Sequence, residues 1–299
     1  MKIKIRLSLI VIVILLVVVA SLSLILLNRA RDMQLQTMKK SNQNLAKSVA
    51  LDLAARYQVY LTTVRNMAAI MSEYESVEPA IRRTRFNANM LALVEDNERI
   101  VQIYTVWKPN AIDNMDAFFA GQPGNSPSGQ YVAMYSKASG KTEFTIYEDY
   151  ERITGDLSDI PRIGDPSPRV VAGQQTYTCN MRVPVFNSKQ EMVANVGLTV
   201  NLAYCQPVIQ ALLQNSLRQE ISAAAAYTNN GTIIANYDPA QIGRDIRATD
   251  SSLYREHTDA VAEAIKTGTI YELDEYAASL KTNLEMVVYP FYIAENTAP

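Results

Sequence analysis

With 299 residues, 48% of them hydrophobic and 19% charged, the chain has apolar material for one large domain or two ordinary ones and too much to stay disordered. A net charge of −2 with no long basic tract excludes duplex-wide phosphate binding, which needs many clustered Lys and Arg, so no nucleic-acid partner is expected. A single histidine excludes a His-dependent catalytic triad and any metal centre with two or more His ligands.

The first element is an anchor. Residues 7–27, LSLIVIVILLVVVASLSLILL, hold no charge, Gly or Pro, and at about 1.5 Å per residue they span roughly 32 Å against a bilayer core of about 30 Å. A cleaved signal has an apolar run of about 7–15 residues and a small-residue cleavage site. This run is longer and ends in LLNRARD, so it is read as an uncleaved membrane helix. Lys2, Lys4 and Arg6 keep residues 1–6 in the cytoplasm and export residues 28–299, with Arg29 and Arg31 pulling weakly the other way.

Neither Gly nor Pro occurs before Pro79, and Leu45, Val49, Leu53, Tyr57, Tyr60, Val64, Met67 and Met71 recur at steps of three and four. That is one apolar stripe on a long stalk helix over residues 28–76, a rod that can transmit displacement, support the rest or form a dimer seam. A short helix, RTRFNANMLALVED, follows. From about residue 99 to 203 the texture becomes that of strands, RIVQIYTVW, KTEFTIYED, QTYTCNMRVPVF and MVANVGLTVNL, with the last two joined by NSKQ as an antiparallel hairpin. GQPGNSPSGQ and IPRIGDPSP are too rich in Gly and Pro for regular structure and read as loops over the sheet.

NLAYCQPVIQALLQNSLRQE reads as a helix with Pro207 in its first turn. Asn230-Gly231 between apolar runs marks a hairpin, SLYREHTDAVAEAIK a helix stopped by Gly268, and TIYELDEY and LEMVVYPFYI two further strands. The exported part is therefore α+β, two mixed modules in tandem, and the chain stops at AENTAP directly after a strand.

Residues that could carry chemistry are few. His257 lies among charged neighbours and is read as solvated. SGKT at 139–142 lacks the upstream glycine of a phosphate-binding loop, because Tyr135 stands there. Asp113, Asp116, Asp149, Asp156 and Asp159 could hold a hard cation but read as solvated loop acids, so no metal is expected. Cys179 and Cys205 form either a disulfide or two small buried residues. Tyr104, Trp107, Tyr131, Tyr135, Tyr147 and Tyr177 are core aromatics one by one, but as a set beside Gly/Pro loops they suit a small-ligand cup. Trp107 sits where a strand ends before Pro109, either lining that cup or buttressing it.

The membrane helix running into a long helix, VWKPNAIDNMDAFFAG, SGQYVAMYS and VPVFNSKQEMVANVGLTVNL together resemble the double-Cache sensor regions of bacterial methyl-accepting chemotaxis receptors. NNGTIIANYDPAQIGRDI resembles the second Cache module, so the likeness covers nearly the whole chain and rests on the order of elements. It implies a membrane-distal module over residues 77–203 with a PAS-like antiparallel sheet that binds a small ligand, an amino acid, organic acid or other metabolite. It also implies a membrane-proximal module over residues 204–299 that is incomplete at its C-terminus, a homodimer through the stalk helix, and a second membrane helix and signalling region beyond the chain. No cofactor and no catalysis are implied. The family's ammonium-binding aspartate is matched by Asn201, whose neutral amide cannot make the charge-assisted bond. Tyr131, Tyr135 and Tyr177 match its aromatic positions, and Arg169 or Arg182 could meet a carboxylate. With Tyr104 and Trp107 these are the expected ligand-binding residues. The expected function is the extracytoplasmic sensor of a chemoreceptor. Alternatives are the sensor of a histidine kinase or cyclic-dinucleotide enzyme and, in another class, a structural or protein-binding anchored ectodomain.

Overall fold

The computed structural model describes residues 2–215, 221–249, 257–277 and 282–293. With no Gly or Pro to interrupt it, the first helix, α1, runs unbroken over Lys2–Ser72, 71 residues or about 105 Å. It closes in a 3-10 turn, Glu73–Ser76, before Pro79 redirects the chain. The window beginning at Ile12 is apolar and long enough to cross a membrane, and none of it is buried against the rest of the chain. Further along, Leu53, Tyr57, Tyr60, Val64, Met67 and Met71 are all buried, so the three-and-four stripe is the face that α1 lays on the sheet.

Helix α2 (Arg82–Glu95) leads into β1 (Ile100–Trp107). There follow α3 (Asp116–Phe119), β2 (Ala133–Ser136), β3 (Glu143–Ile146), α4 (Tyr150–Gly155), β4 (Arg162–Ile163), β5 (Ser167–Val171), β6 (Gln174–Phe186) and β7 (Met192–Asn201). These strands form one antiparallel sheet in the order β3-β2-β1-β7-β6-β4, with β5 also on β6. β1 is central and buried along its whole length. The segment IPRIGDPSP is not all loop: Arg162 and Ile163 pair with Arg182 and Met181, and β5 begins at Ser167, because β6 is long enough to offer its free edge to both.

After α5 (Cys205–Asn215) come the hairpin β8 (Ala225–Tyr227) and β9 (Ile233–Asn236), α6 (Thr258–Thr267), and a second hairpin of β10 (Tyr271–Ala277) and β11 (Thr282–Val288). The Asn230-Gly231 turn has Gly231 at φ 86°. α6 ends on Gly268 in the left-handed region, as the sequence signals. The parts of the two expected helices over residues 216–220 and 252–256 lie outside the described residues.

Three readings change. His257 is half-buried and partnered rather than free in solvent: its Nε2 lies 2.5 Å from Glu275 Oε1 and its Nδ1 3.2 Å from the Tyr271 hydroxyl, because β10 runs back beside the start of α6. Asp113 and Asp116 are not solvated either; both are buried on Arg83. Cys179 and Cys205 are separate buried thiols, with Cys179 Sγ donating to Gly164 O at 3.3 Å and Cys205 Sγ 3.1 Å from the Tyr57 hydroxyl.

Burial pushes the Cys179 thiol up to about 12 and Cys205 up to about 11 from an ordinary 9.0. Because the fold holds both thiols protonated, their contribution to stability is complete below pH 9 and is lost as pH rises from there through the folded values. The denaturation midpoint should be flat below about pH 8.5 and fall between about pH 9 and 11, and Cys179→Ala should flatten that fall. A midpoint level to pH 11 would contradict the burial described here.

Candidate functional site

Because side chains alternate along a strand, the sheet has two unlike faces. Ile103, Thr105 and Trp107 of β1, Ala133 and Tyr135 of β2, Cys179, Met181, Val183 and Val185 of β6, and Ala194, Val196, Leu198 and Val200 of β7 face α1; all but Thr105 belong to the main core, and the Thr105 hydroxyl meets Met71 Sδ on α1. The opposite face carries Gln102, Tyr104 and Val106, then Met134, Asn180 and Arg182, then Asn195, Gly197 and Thr199. That face is mostly polar and mostly buried.

Its centre is a row of three. Tyr104 and Arg182 both stand directly opposite Gly197, one on each flanking strand. A Cβ on Gly197 would come 2.4 Å from Tyr104 Cζ, so only glycine lets the ring lie across β7. The ring stacks on Tyr147 at 4.2 Å and 10°, and its hydroxyl donates to Asn180 Oδ1 at 3.0 Å. Asn180 in turn donates to Thr199 Oγ1 at 3.1 Å. Burial drives the Tyr104 hydroxyl far above its ordinary range, and it stays neutral. Gln102 donates to Met134 Sδ and accepts from Arg169 Nη1, which brings a second guanidinium to the same face.

Residues 147–160 cross over this face. Tyr147 is held by the Tyr104 stack, and Ile153 of α4 packs with Val106 and Val132. Asn195 clasps Ser158 at both backbone groups, accepting from its N–H at 3.1 Å and donating to its carbonyl at 2.9 Å. Asp156 comes within 3.8 Å of Arg182 Nη2 but binds Arg162 more closely, at 2.8 Å. Arg182 is 7% exposed, and among the described residues that long contact to a half-exposed carboxylate is its only ion pair. A guanidinium has five N–H donors, so most of its capacity is unspent in a place largely shielded from water.

The expected ligand residues separate on this geometry. The structure brings Tyr104, Arg182 and Arg169 together on the polar face. Asn201 lies at the far end of β7, where its Oδ1 is already taken by Thr176 Oγ1 at 2.7 Å and Ala203 N at 2.9 Å. Trp107, Tyr131, Tyr135 and Tyr177 are on the α1 side. Trp107 lies against Phe86 and Tyr74, and Tyr131 donates to Asn87 Oδ1 at 2.7 Å. Tyr135 leans on Phe144, and Tyr177 donates to Gly243 O at 3.3 Å. Gln102, Asn180, Asn195 and Thr199 were missed, although the alternation in TCNMRV and NVGLTVN was there to find them. A cavity of about 550 Å³ lies not here but beside residues 35–53 of α1.

A seven-stranded antiparallel sheet laid on a long N-terminal helix, with loops folded over its far face, recurs in solved structures. The extracellular domain assigned to the histidine kinase mmHK1S-Z2 matches with a TM-score of 0.64 at 18% identity, over 84% of this chain and 91% of that one. This is the fold of extracellular sensory domains. The same sensor fold is found in a methyl-accepting chemotaxis protein X, with a TM-score of 0.58 at 18% identity over 87% of this chain and 93% of that one. It is found again in the sensory domain of the Campylobacter jejuni chemoreceptor Tlp3 with isoleucine bound, with a TM-score of 0.51 at 10% identity over 79% and 83%. No family model matches the sequence, and no curated protein does. The sensor fold agrees with the double-Cache resemblance and the α+β class read from the sequence, and these neighbours are sensory domains rather than catalytic ones.

Proposed function

We propose that the chain is the extracytoplasmic ligand-sensing region of a membrane receptor, without catalysis of its own, and that its ligand is a small organic carboxylate held on the polar face of the sheet. The observation that carries this is Arg182: buried, opposite Gly197, and paired only at 3.8 Å with an aspartate that Arg162 holds more tightly. A carboxylate can accept two parallel N–H bonds from such a fork. Arg169 adds positive charge, Tyr104 and Tyr147 supply a ring surface, and residues 147–160 cover the ligand. Asn201 offers no charge and no free lone-pair partner for an ammonium group, which favours a plain organic acid over an amino acid.

In this reading residues 77–203 are the membrane-distal, ligand-binding module and residues 204–299 the membrane-proximal one. Residues 7–27 cross the membrane, and two copies pair along α1. Ligand occupancy biases one of two arrangements of α1 against the sheet, which requires that the ligand bind the two with different affinity. The output is that of a chemoreceptor, with a histidine kinase as the second reading because the same fold occurs there.

The test is a thermal-shift screen of the full chain in detergent against organic acids, amino acids, amines and purines. Carboxylates should raise the melting temperature. Arg182→Ala should weaken the binding at least tenfold, and Tyr104→Phe should weaken it less. A folded protein that answers no carboxylate, or an Arg182→Ala variant that binds as well as the parent, sinks the proposal.

A further inference from the structure

The cavity of about 550 Å³ lies between α1 at residues 35–53, α5 at Ile209 and Leu212, β8, and the inner face of the β10–β11 hairpin. Its walls are mainly aliphatic, with Val49, Leu53 and Ala226 on one side and Leu284 and Phe291 on the other. A volume of this size suits a small-molecule ligand, and apolar walls with a few placed polar groups are the common make-up of such sites.

Charge in the cavity has one sign. Among the described lining residues the only charged side chains are Asp274 and Glu285. They stand directly opposite each other across the hairpin, where like charges repel. Their face is the one turned to α1, because Glu272, two residues before Asp274, accepts from Gln43 Nε2 at 2.6 Å. Lys39 is the cation that α1 turns to this face, and it stands 3.8 Å from Glu272. Asn42 of α1 also lines the cavity. Glu285 Oε1 is buried and has no hydrogen-bond partner among the described residues. A buried carboxylate oxygen without a partner is costly, and it marks the position where a donor is missing.

We propose that this cavity is a second binding site, separate from the polar face of the large sheet, and that it takes a small organic ammonium with an apolar body. The ammonium sets its three donors between Glu285 and Asp274 and relieves their repulsion, while the apolar part fills the space against Val49 and Leu53 of α1. A neutral molecule of the same shape leaves the Glu285 oxygen unpaired, and an anion adds a third negative charge. The site's selectivity therefore comes from the hairpin, and its contact with α1 comes from the aliphatic wall.

Isothermal titration of the full chain in phosphatidylcholine nanodiscs, which offer no competing primary ammonium, tests this with three probes. Phenethylamine should bind saturably at one per chain, 3-phenyl-1-propanol at least tenfold more weakly, and 3-phenylpropanoate not measurably at this site. Glu285→Gln should weaken phenethylamine tenfold or more. Asp274→Asn should weaken it by a smaller factor and carries the test if the first variant does not fold. Arg182→Ala should leave it unchanged, which separates this site from the carboxylate site. Equal affinity for the amine and the alcohol, undiminished amine binding in Glu285→Gln or in Asp274→Asn, or uptake of amine that never saturates overturns the proposal.

Discussion

Replacing Arg83 with methionine should destabilise the protein by about 3–5 kcal/mol, the range found when one member of a buried ion pair is removed. Arg83 is almost completely buried on α2, and among the described residues it is the only cation paired with Asp113 and Asp116. Its Nε and Nη2 donate to Asp113 at 2.7 and 2.9 Å, and Nη2 also reaches Asp116 at 2.6 Å. Nη1 donates to Gly129 O at 2.6 Å and to Asn125 Oδ1 at 2.5 Å, and the guanidinium lies 4.1 Å from the centre of the Phe119 ring. Methionine keeps the volume but leaves two buried carboxylates without a counter-charge. Arg83→Lys should recover only part of the loss, since one ammonium cannot reproduce the planar fork. A triple variant, Arg83→Met with Asp113→Asn and Asp116→Asn, should recover more, because it removes the charges instead of stranding them. Chemical denaturation of the four proteins measures this, and a single variant as stable as the parent would mean that the cluster is not formed in solution.

Trp107→Ala should cost about 3–5 kcal/mol through the cavity it leaves, and it should not alter carboxylate binding. The indole is fully buried on the α1 side of β1, stacked on Phe86 at 6.0 Å and met edge-on by Tyr74 at 5.1 Å. Tyr104, three residues earlier, points to the other face, so the two aromatics serve different layers of the molecule. Trp107 Nε1 is buried without a partner among the described residues, and Trp107→Phe should therefore lose less than the ring area alone suggests. Thermal unfolding with and without the best carboxylate separates the two roles. If Trp107→Ala abolished the ligand shift while stability held, the indole would belong to the site and not to the core.

That contrast also explains how far the sequence could be read. The long helix was legible because no Gly or Pro interrupts it and its stripe repeats over seven turns. The hairpins were legible because NSKQ and Asn230-Gly231 are strong local signals. Site residues were harder. Aromatics that cluster within the sequence need not share a face, and Tyr131, Tyr135 and Tyr177 went to the core side because each falls on the same parity as its aliphatic neighbours. The period-two reading of β6 and β7 would have placed Asn180, Arg182, Asn195 and Thr199 on one face, but polar residues of strands are easily taken for solvent-facing ones. What no local pattern could supply was the pairing of distant charges. Arg83 meets Asp113 and Asp116 only because α2 and the loop after β1 fold together, and Glu285 meets Asp274 only through hairpin register.

The continuity of α1 has a consequence of scale. From the end of the apolar run at Leu27 to Ser72 the helix measures about 67 Å, without a joint to take up bending. It therefore acts as a lever arm, and a tilt of one degree at the sheet moves the end at Leu27 by about 1 Å. Helix displacements of about 1–2 Å are enough to switch packed interfaces. Small adjustments of Met67 and Met71 under the sheet are in this way geometrically amplified, and Val49 and Leu53 lie on the same arm closer to its lower end.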